Sequence, residues 1–92
     1  VMVDCSHANS SKQHRLQIEV AADVAGQIAG GERRITGVMV ESHLADGRQD
    51  LVPGQPLQPG VSITDACLGW AETEPVLRRL ASAVAQRRGR GF

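Results

Sequence analysis

The chain has 92 residues with ten acidic and ten basic side chains, so no net charge draws it toward nucleic acid or an anionic membrane surface. Hydrophobic residues make up 41% of it, yet no apolar run approaches the roughly 18 residues of a membrane span. The length suits one small domain or a piece of a larger one. With Trp70 and Phe92 the only aromatics, its core must be aliphatic.

The opening VMVDCSH reads as a buried strand with His7 at its end. If His7 points inward, the two-residue period puts Val3 and Cys5 on the same face and Met2 and Asp4 on the other, where Asp4 would need a partner on the helix side. A natural domain rarely begins inside a buried strand, so a fragment is expected. HANSSK is turn-like, and Ser10 or Ser11 is a candidate helix cap. Leu16, Val20, Val24 and Ile28 then recur every four residues beside Ala21 and Ala25, which predicts a helix from Gln13 to Ala29. Glu19 and Asp23 form its wet face, and Gly30-Gly31 ends it.

ITGVMVESH follows. Ile35, Val38, Met39 and Val40 read as a parallel strand buried on both faces, stopping at Glu41. From Ser42 to Gly60 nothing periodic survives, and Gly and Pro recur. Such a loop is either a cover over the strand ends or a stiff excursion. VSITDAC reads as a third strand ending near Asp65, with Trp70 as an anchor beneath the next helix. Thr73-Glu74-Pro75 marks that helix start, and Val76, Leu77, Leu80, Ala81 and Val84 its buried stripe. Arg78, Arg79, Arg87, Arg88 and Arg90 crowd its exposed face and end. A cationic C-terminus suits the helix dipole, and the absence of interleaved aromatics argues against nucleic-acid binding.

The expected order is therefore β-α-β-loop-β-α, an α/β arrangement with parallel strands. His7, Glu41 and Asp65 stand at three successive strand ends, where α/β proteins place their chemistry. On a flat sheet the outer two would be ~10 Å apart. In a closed barrel strand ends converge, and one imidazole with two carboxylates suits a divalent Mn, Fe, Co or Zn ion with positions left open for substrate. Each residue also has a plainer reading. His7 alone is better explained as a satisfied core histidine, and Asp65 could simply cap a following turn; Glu41 resists such a reading because burying a carboxylate is costly unless it is paired or metal-bound. His43 is read as a surface residue, and His14 carries no signal. Cys5 and Cys67 lack CxxC spacing, so a disulfide is not expected and an intracellular setting is.

DCSHANSSK, QIAGGERRITGVMVESHLADG and GVSITDACLGW together resemble the C-terminal segment of class I 3-deoxy-D-arabino-heptulosonate 7-phosphate (DAHP) synthase, with the motifs in the same order and across essentially the whole chain. The resemblance implies the last three βα units of a (β/α)8 TIM barrel, with residues 1–92 a C-terminal fragment of one barrel domain. It implies a metal-dependent, cytoplasmic, homo-oligomeric transferase that condenses phosphoenolpyruvate with D-erythrose 4-phosphate at the entry to the shikimate pathway and aromatic amino acid biosynthesis. On the matching motifs His7, Glu41 and Asp65 become metal ligands. The family's remaining ligand, a cysteine from an early strand, has no counterpart in this chain. Cys67 is expected near the metal without binding it, and Cys5 to pack. In the family the metal polarises the erythrose 4-phosphate aldehyde, C3 of phosphoenolpyruvate attacks it, water adds at C2 and phosphate leaves. The phosphate-gripping residues lie mainly on earlier strands, so the 92 residues alone are expected to be inactive. The rival reading is a non-catalytic binding or self-assembling α/β module whose metal-like residues are incidental.

Overall fold

The computed structural model describes residues 1–10 and 13–89, and of Ser10 the backbone only. Strand β1 (Met2–Asp4) and strand β2 (Gly37–Met39) lie parallel, with Met2 opposite Gly37, Val3 opposite Val38 and Asp4 opposite Met39. Backbone bonds from Thr36 N to Val1 O (2.8 Å) and from Cys5 N to Met39 O (2.8 Å) extend the pairing at both ends. Helix α1 (Leu16–Ala29) joins the two strands, and helix α2 (Trp70–Gly89) packs beside α1.

α1 forms over the predicted apolar stripe, but its buried side is rotated by about one residue: Gln17, Ala21, Val24, Ala25 and Ile28 face inward, while Leu16 and Val20 are half-buried. It also starts later than Gln13. Arg15 is its N-cap without a capping side-chain bond, and a tight turn carrying the Leu16 N to Gln13 O bond (3.0 Å) precedes it. The expected cap from Ser10 or Ser11 falls on Ser11 and the Ser10 side chain, which lie outside the described residues. The C-terminus ends as expected. Gly31, at φ 109°, lets its N–H reach Ile28 O (3.0 Å) and the Glu32 N–H reach Gln27 O (3.0 Å), the paired bonds of a Schellman stop.

Val24, Ala25, Ile28, Ile35 and Ala83 form one core cluster, joined by Val3, Val38, Leu80 and Val84; Cys5, Ala21 and Val76 form a second with Val40 and Ile18. Every strand residue in these clusters points at the helices. The opposite face of the strand pair is bare, with Met2 69% and Met39 43% exposed, so burial on both faces is not met within the described residues. Packing also corrects three details of α2. It begins at Trp70, which is 51% exposed rather than an anchor. Leu77 and Ala81 face outward, and their inward places are taken by Thr73 and Ala83. Arg87, at the helix end, ties α2 to the segment before β2 through bonds from Nη1 to Glu32 O (2.9 Å) and Ile35 O (3.1 Å). Arg90 lies outside the described residues.

The third expected strand does not form. Residues 61–68 make only isolated bridges, Ser42 with Leu68 (parallel), Gly47 with Cys67 (antiparallel) and Arg48 with Ser62 (parallel). The loop after β2 doubles back against this segment, and Gly47, at φ 95°, exchanges both backbone bonds with Cys67 (2.8 and 3.1 Å). That exchange occupies backbone groups a straight ladder would need. Residues 51–59 stand in solvent.

Candidate metal centre

Three segments deliver the candidate ligands to one rim. β1 ends at Asp4, and the chain turns through a 3-10 helix, His7–Ser10, in which His7 adopts a left-handed φ of 52°. Positive φ is uncommon for a residue with a side chain and is concentrated at functional sites. It also breaks the alternation assumed from the sequence. Val3 and Cys5 face the helices, not the site; Asp4, placed by sequence on the helix side, shares the bare face with His7. The physical reason is that the two-residue period holds only while the backbone stays extended.

Asp4 is one residue whose role sequence reasoning missed. Its Oδ1 accepts from the Ser6 amide (2.8 Å) and the Ser6 hydroxyl, and its Oδ2 lies 3.0 Å from His7 Nδ1. Hydrogen bonds from Ser6 and then His7 hold the Asp4 carboxyl below its usual range. The His7 imidazole is pushed up, first by the Asp4 bond and then by the charge of Glu41. With Nδ1 turned to Asp4, Nε2 faces the other two residues, 3.7 Å from Glu41 Oε2 and 3.5 Å from Asp65 Oδ2.

Glu41 lies two residues beyond β2, on the same face as Met39. There β1 has already turned away, and the side chain of Gln17 on α1 meets the Glu41 backbone: the Glu41 N–H donates to Gln17 Oε1 (2.7 Å) and Gln17 Nε2 donates to Glu41 O (3.2 Å). Leu68 N also donates to Glu41 O (3.0 Å), while Ser42 Oγ pairs with Thr73 Oγ1 (2.6 Å) at the base of α2. Asp65 sits on a bend. Ser62, itself buried, accepts the Thr64 N–H (3.1 Å), and Arg48 Nε donates to Thr64 O (2.8 Å), fixing the peptide before Asp65. The Asp65 side chain is largely exposed.

One ligand atom from each of His7, Glu41 and Asp65 can be chosen so that all lie within 4.8 Å of one another. Donors to a single ion with bonds of about 2.1 Å stand about 3–4 Å apart, so the nitrogen–oxygen spacings of 3.5 and 3.7 Å fit a shared divalent cation. The set of one imidazole and two carboxylates matches Mn, Fe, Co or Zn chemistry. A cavity of about 220 Å³ opens over it, lined also by His14, Gln17 and Arg48. Of the long loop only Arg48 lines that cavity, and residues 51–59 stand in solvent.

Two residues set aside from sequence are better placed now. His14, read as carrying no signal, lines the cavity, with Nε2 3.0 Å from Asp46 Oδ1; Arg15 Nη2 meets the other oxygen of the same carboxylate at 3.2 Å. His43 is exposed, as expected, and its Nδ1 accepts the Leu44 N–H (2.8 Å). Cys5 is fully buried against the helices, whereas Cys67 is half-buried and donates to Asp65 O (3.4 Å), its thiol pushed up by burial.

The model of the DAHP synthetase I family matches residues 1–78. This chain belongs to the DAHP synthetase I family. The Phe-sensitive phospho-2-dehydro-3-deoxyheptonate aldolase of Escherichia coli K12 is 63% identical over 89 residues, which cover 97% of this chain and 25% of that protein. A putative enzyme of the same name from Schizosaccharomyces pombe is 53% identical over 91 residues, covering 96% of this chain and 24% of its own length. Among solved structures, phospho-2-dehydro-3-deoxyheptonate aldolase from Francisella tularensis SCHU S4 superposes with a TM-score of 0.88 at 48% identity, covering 95% of this chain and 25% of that one. The chain thus spans about a quarter of the length of the DAHP synthetase I relatives it matches. His7, Glu41 and Asp65 all fall inside the matched residues.

Proposed function

We propose that these residues form part of the catalytic rim of a DAHP synthase that joins phosphoenolpyruvate to erythrose 4-phosphate, releasing phosphate, at the start of aromatic amino acid biosynthesis. In this reading they supply the last three βα units of a (β/α)8 barrel, and the remaining units cover the bare face that leaves Met2 and Met39 exposed. Closed barrels normally fill that interior with side chains. The observation that carries the proposal is the convergence of His7, Glu41 and Asp65 from three separate segments, within a family match that spans all three.

His7, Glu41 and Asp65 would hold a divalent Mn, Fe, Co or Zn ion, which when bound supplies Lewis-acid polarisation of the aldehyde. The chain's own residues prepare that place. Asp4 takes the Nδ1 side of His7, leaving Nε2 toward the two carboxylates, the outer-shell arrangement that fixes tautomer and ring orientation at metal sites. The Arg48 side chain, anchored to Thr64 O and Asp50, keeps a cation at the cavity wall near the two acids. Among the described residues both thiols are free and no helix is long and apolar enough to cross a membrane. The bare sheet face supports burial against the rest of a larger protein; a cytoplasmic setting and a homo-oligomeric state enter this reading through the family alone.

The test is phosphate release from the two substrates by the full-length protein, its His7→Ala, Glu41→Ala and Asp65→Ala variants, and the 92-residue chain alone. Metal-dependent turnover by the full-length protein, with loss in each variant and none from the short chain, is expected. Undiminished turnover in any of the three variants would overturn the assignment of that residue, and turnover by the short chain would overturn the division of labour within the barrel.

A further inference from the structure

Resting on the metal-site reading above, we infer that Gln17 is a positioning residue that sets the Glu41 carboxylate by acting as a surrogate peptide unit for the Glu41 backbone. Gln17 is fully buried on the inward side of α1, among Ala21, Val24, Ala25 and Ile28. A neutral amide in such a stripe is unfavourable unless its donor and acceptor are both used. Here both are used on one residue, by the Glu41 N–H to Oε1 (2.7 Å) and the Nε2 to Glu41 O (3.2 Å) contacts.

The need arises from the turn at the end of β1. The last ladder bond between the two strands is from Cys5 N to Met39 O, after which the chain bends into the His7 turn. Beyond that bend β1 offers Glu41 no partner: the Glu41 carbonyl takes the Leu68 N–H (3.0 Å), but among the described residues its N–H meets no backbone acceptor. A side-chain amide presents the same donor and acceptor as a peptide, so Gln17 continues the pairing by one step from the helix layer. The bend that aims His7 leaves the Glu41 N–H without a strand acceptor, and Gln17 supplies one (2.7 Å) while Leu68 N–H holds the carbonyl. No other polar side chain on the buried side of α1 reaches this backbone among the described residues.

The experiment measures Mn(II) binding by calorimetry in the full-length protein and in Gln17→Met, Glu41→Ala and the double variant. Methionine keeps the length and packing of the side chain but neither polar contact. Removing an outer-shell partner typically costs about 10–100-fold in metal affinity, and Gln17→Met is expected within that range. In the Glu41→Ala background the same change is expected to alter affinity less than about twofold, because the carboxylate it positions is gone. Hydrogen exchange of the peptide containing Glu41 should quicken in the metal-free Gln17→Met protein. If Gln17→Met does not fold, Gln17→Asn, which keeps the amide but falls one methylene short, should show the same coupling to Glu41. Affinity unchanged by Gln17→Met, or weakened equally in both backgrounds, would overturn the inference. Equal Mn(II) binding by wild type and Glu41→Ala would instead overturn the metal-site reading, and this inference with it.

Discussion

Replacing Asp4 with Asn should weaken metal binding by about 10–100-fold while leaving the fold intact. Asp4 uses its two oxygens differently. Oδ1 takes the Ser6 amide and hydroxyl, and Oδ2 takes His7 Nδ1 at 3.0 Å. In the Asn variant the amide oxygen keeps the Ser6 contacts, so the turn retains its shape. The amide nitrogen replaces Oδ2 and brings a donor to His7 Nδ1. Two donors cannot face each other, so the imidazole proton is favoured on Nε2, with Ser6 Oγ, 2.9 Å from Nδ1, free to donate to the nitrogen left bare. Nε2 is the atom 3.7 Å from Glu41 and 3.5 Å from Asp65. A proton there removes the lone pair that an ion needs, so affinity falls through tautomer reversal rather than loss of packing. Mn(II) calorimetry on the full-length protein, with circular dichroism as the control for folding, reads the effect. Affinity within twofold of wild type in a folded Asp4→Asn protein would refute the assignment of Asp4 as the group that orients His7.

Two further perturbations probe the scaffold at a distance from the ligands. Glu32 is held at about 2, first by the side-chain bonds from Arg34 and then by the Arg34 amide. A depressed carboxylate favours the fold above its unfolded value of 4.5 and loses that contribution as pH falls through about 2. Arg34→Ala should therefore return the Glu32 titration toward the ordinary carboxylate range, read by carbon NMR of the labelled side chain, and an unmoved titration would contradict the pairing. Gly69→Ala would place a methyl 2.9 Å from the Asp46 amide nitrogen and 3.4 Å from the Ala45 carbonyl carbon. Both are backbone atoms that cannot swing aside, so overpacking should destabilise the protein by about 1–3 kcal/mol. Urea denaturation measures this, and a stability equal to wild type would show that the 42–48 segment yields freely.

The amino-acid pattern carried the helices and strands that rely on local rules. The stripe in α1, its glycine stop and the parallel pairing of the two valine-rich strands follow from periodicity and turn chemistry, and the structure has them. The three candidate ligands were legible because each interrupts an apolar or turn segment at its end. What escaped depended on tertiary context. Gln17 was hidden because a four-residue count from Leu16 rotates the buried face by one position, past the one polar residue that faces inward. Asp4 was assigned to the wrong face because alternation was carried through His7, whose φ of 52° has no signature in composition. The 61–68 segment has strand-like residues, but its partner is the returning loop at Gly47, a pairing set by a turn that periodicity does not reveal. Leu77 and Trp70 were placed inward on hydrophobicity alone, and packing of α2 on α1 selected Thr73 and Ala83 instead.

Anomalous diffraction from crystals of the full-length protein grown with Mn(II) tests the metal centre most directly. A single strong peak within about 2.0–2.4 Å of His7 Nε2 and of a carboxylate oxygen from both Glu41 and Asp65 is predicted. A peak bound elsewhere, or His7 joined to the two carboxylates only by hydrogen bonds with saturating Mn(II) present, would contradict it.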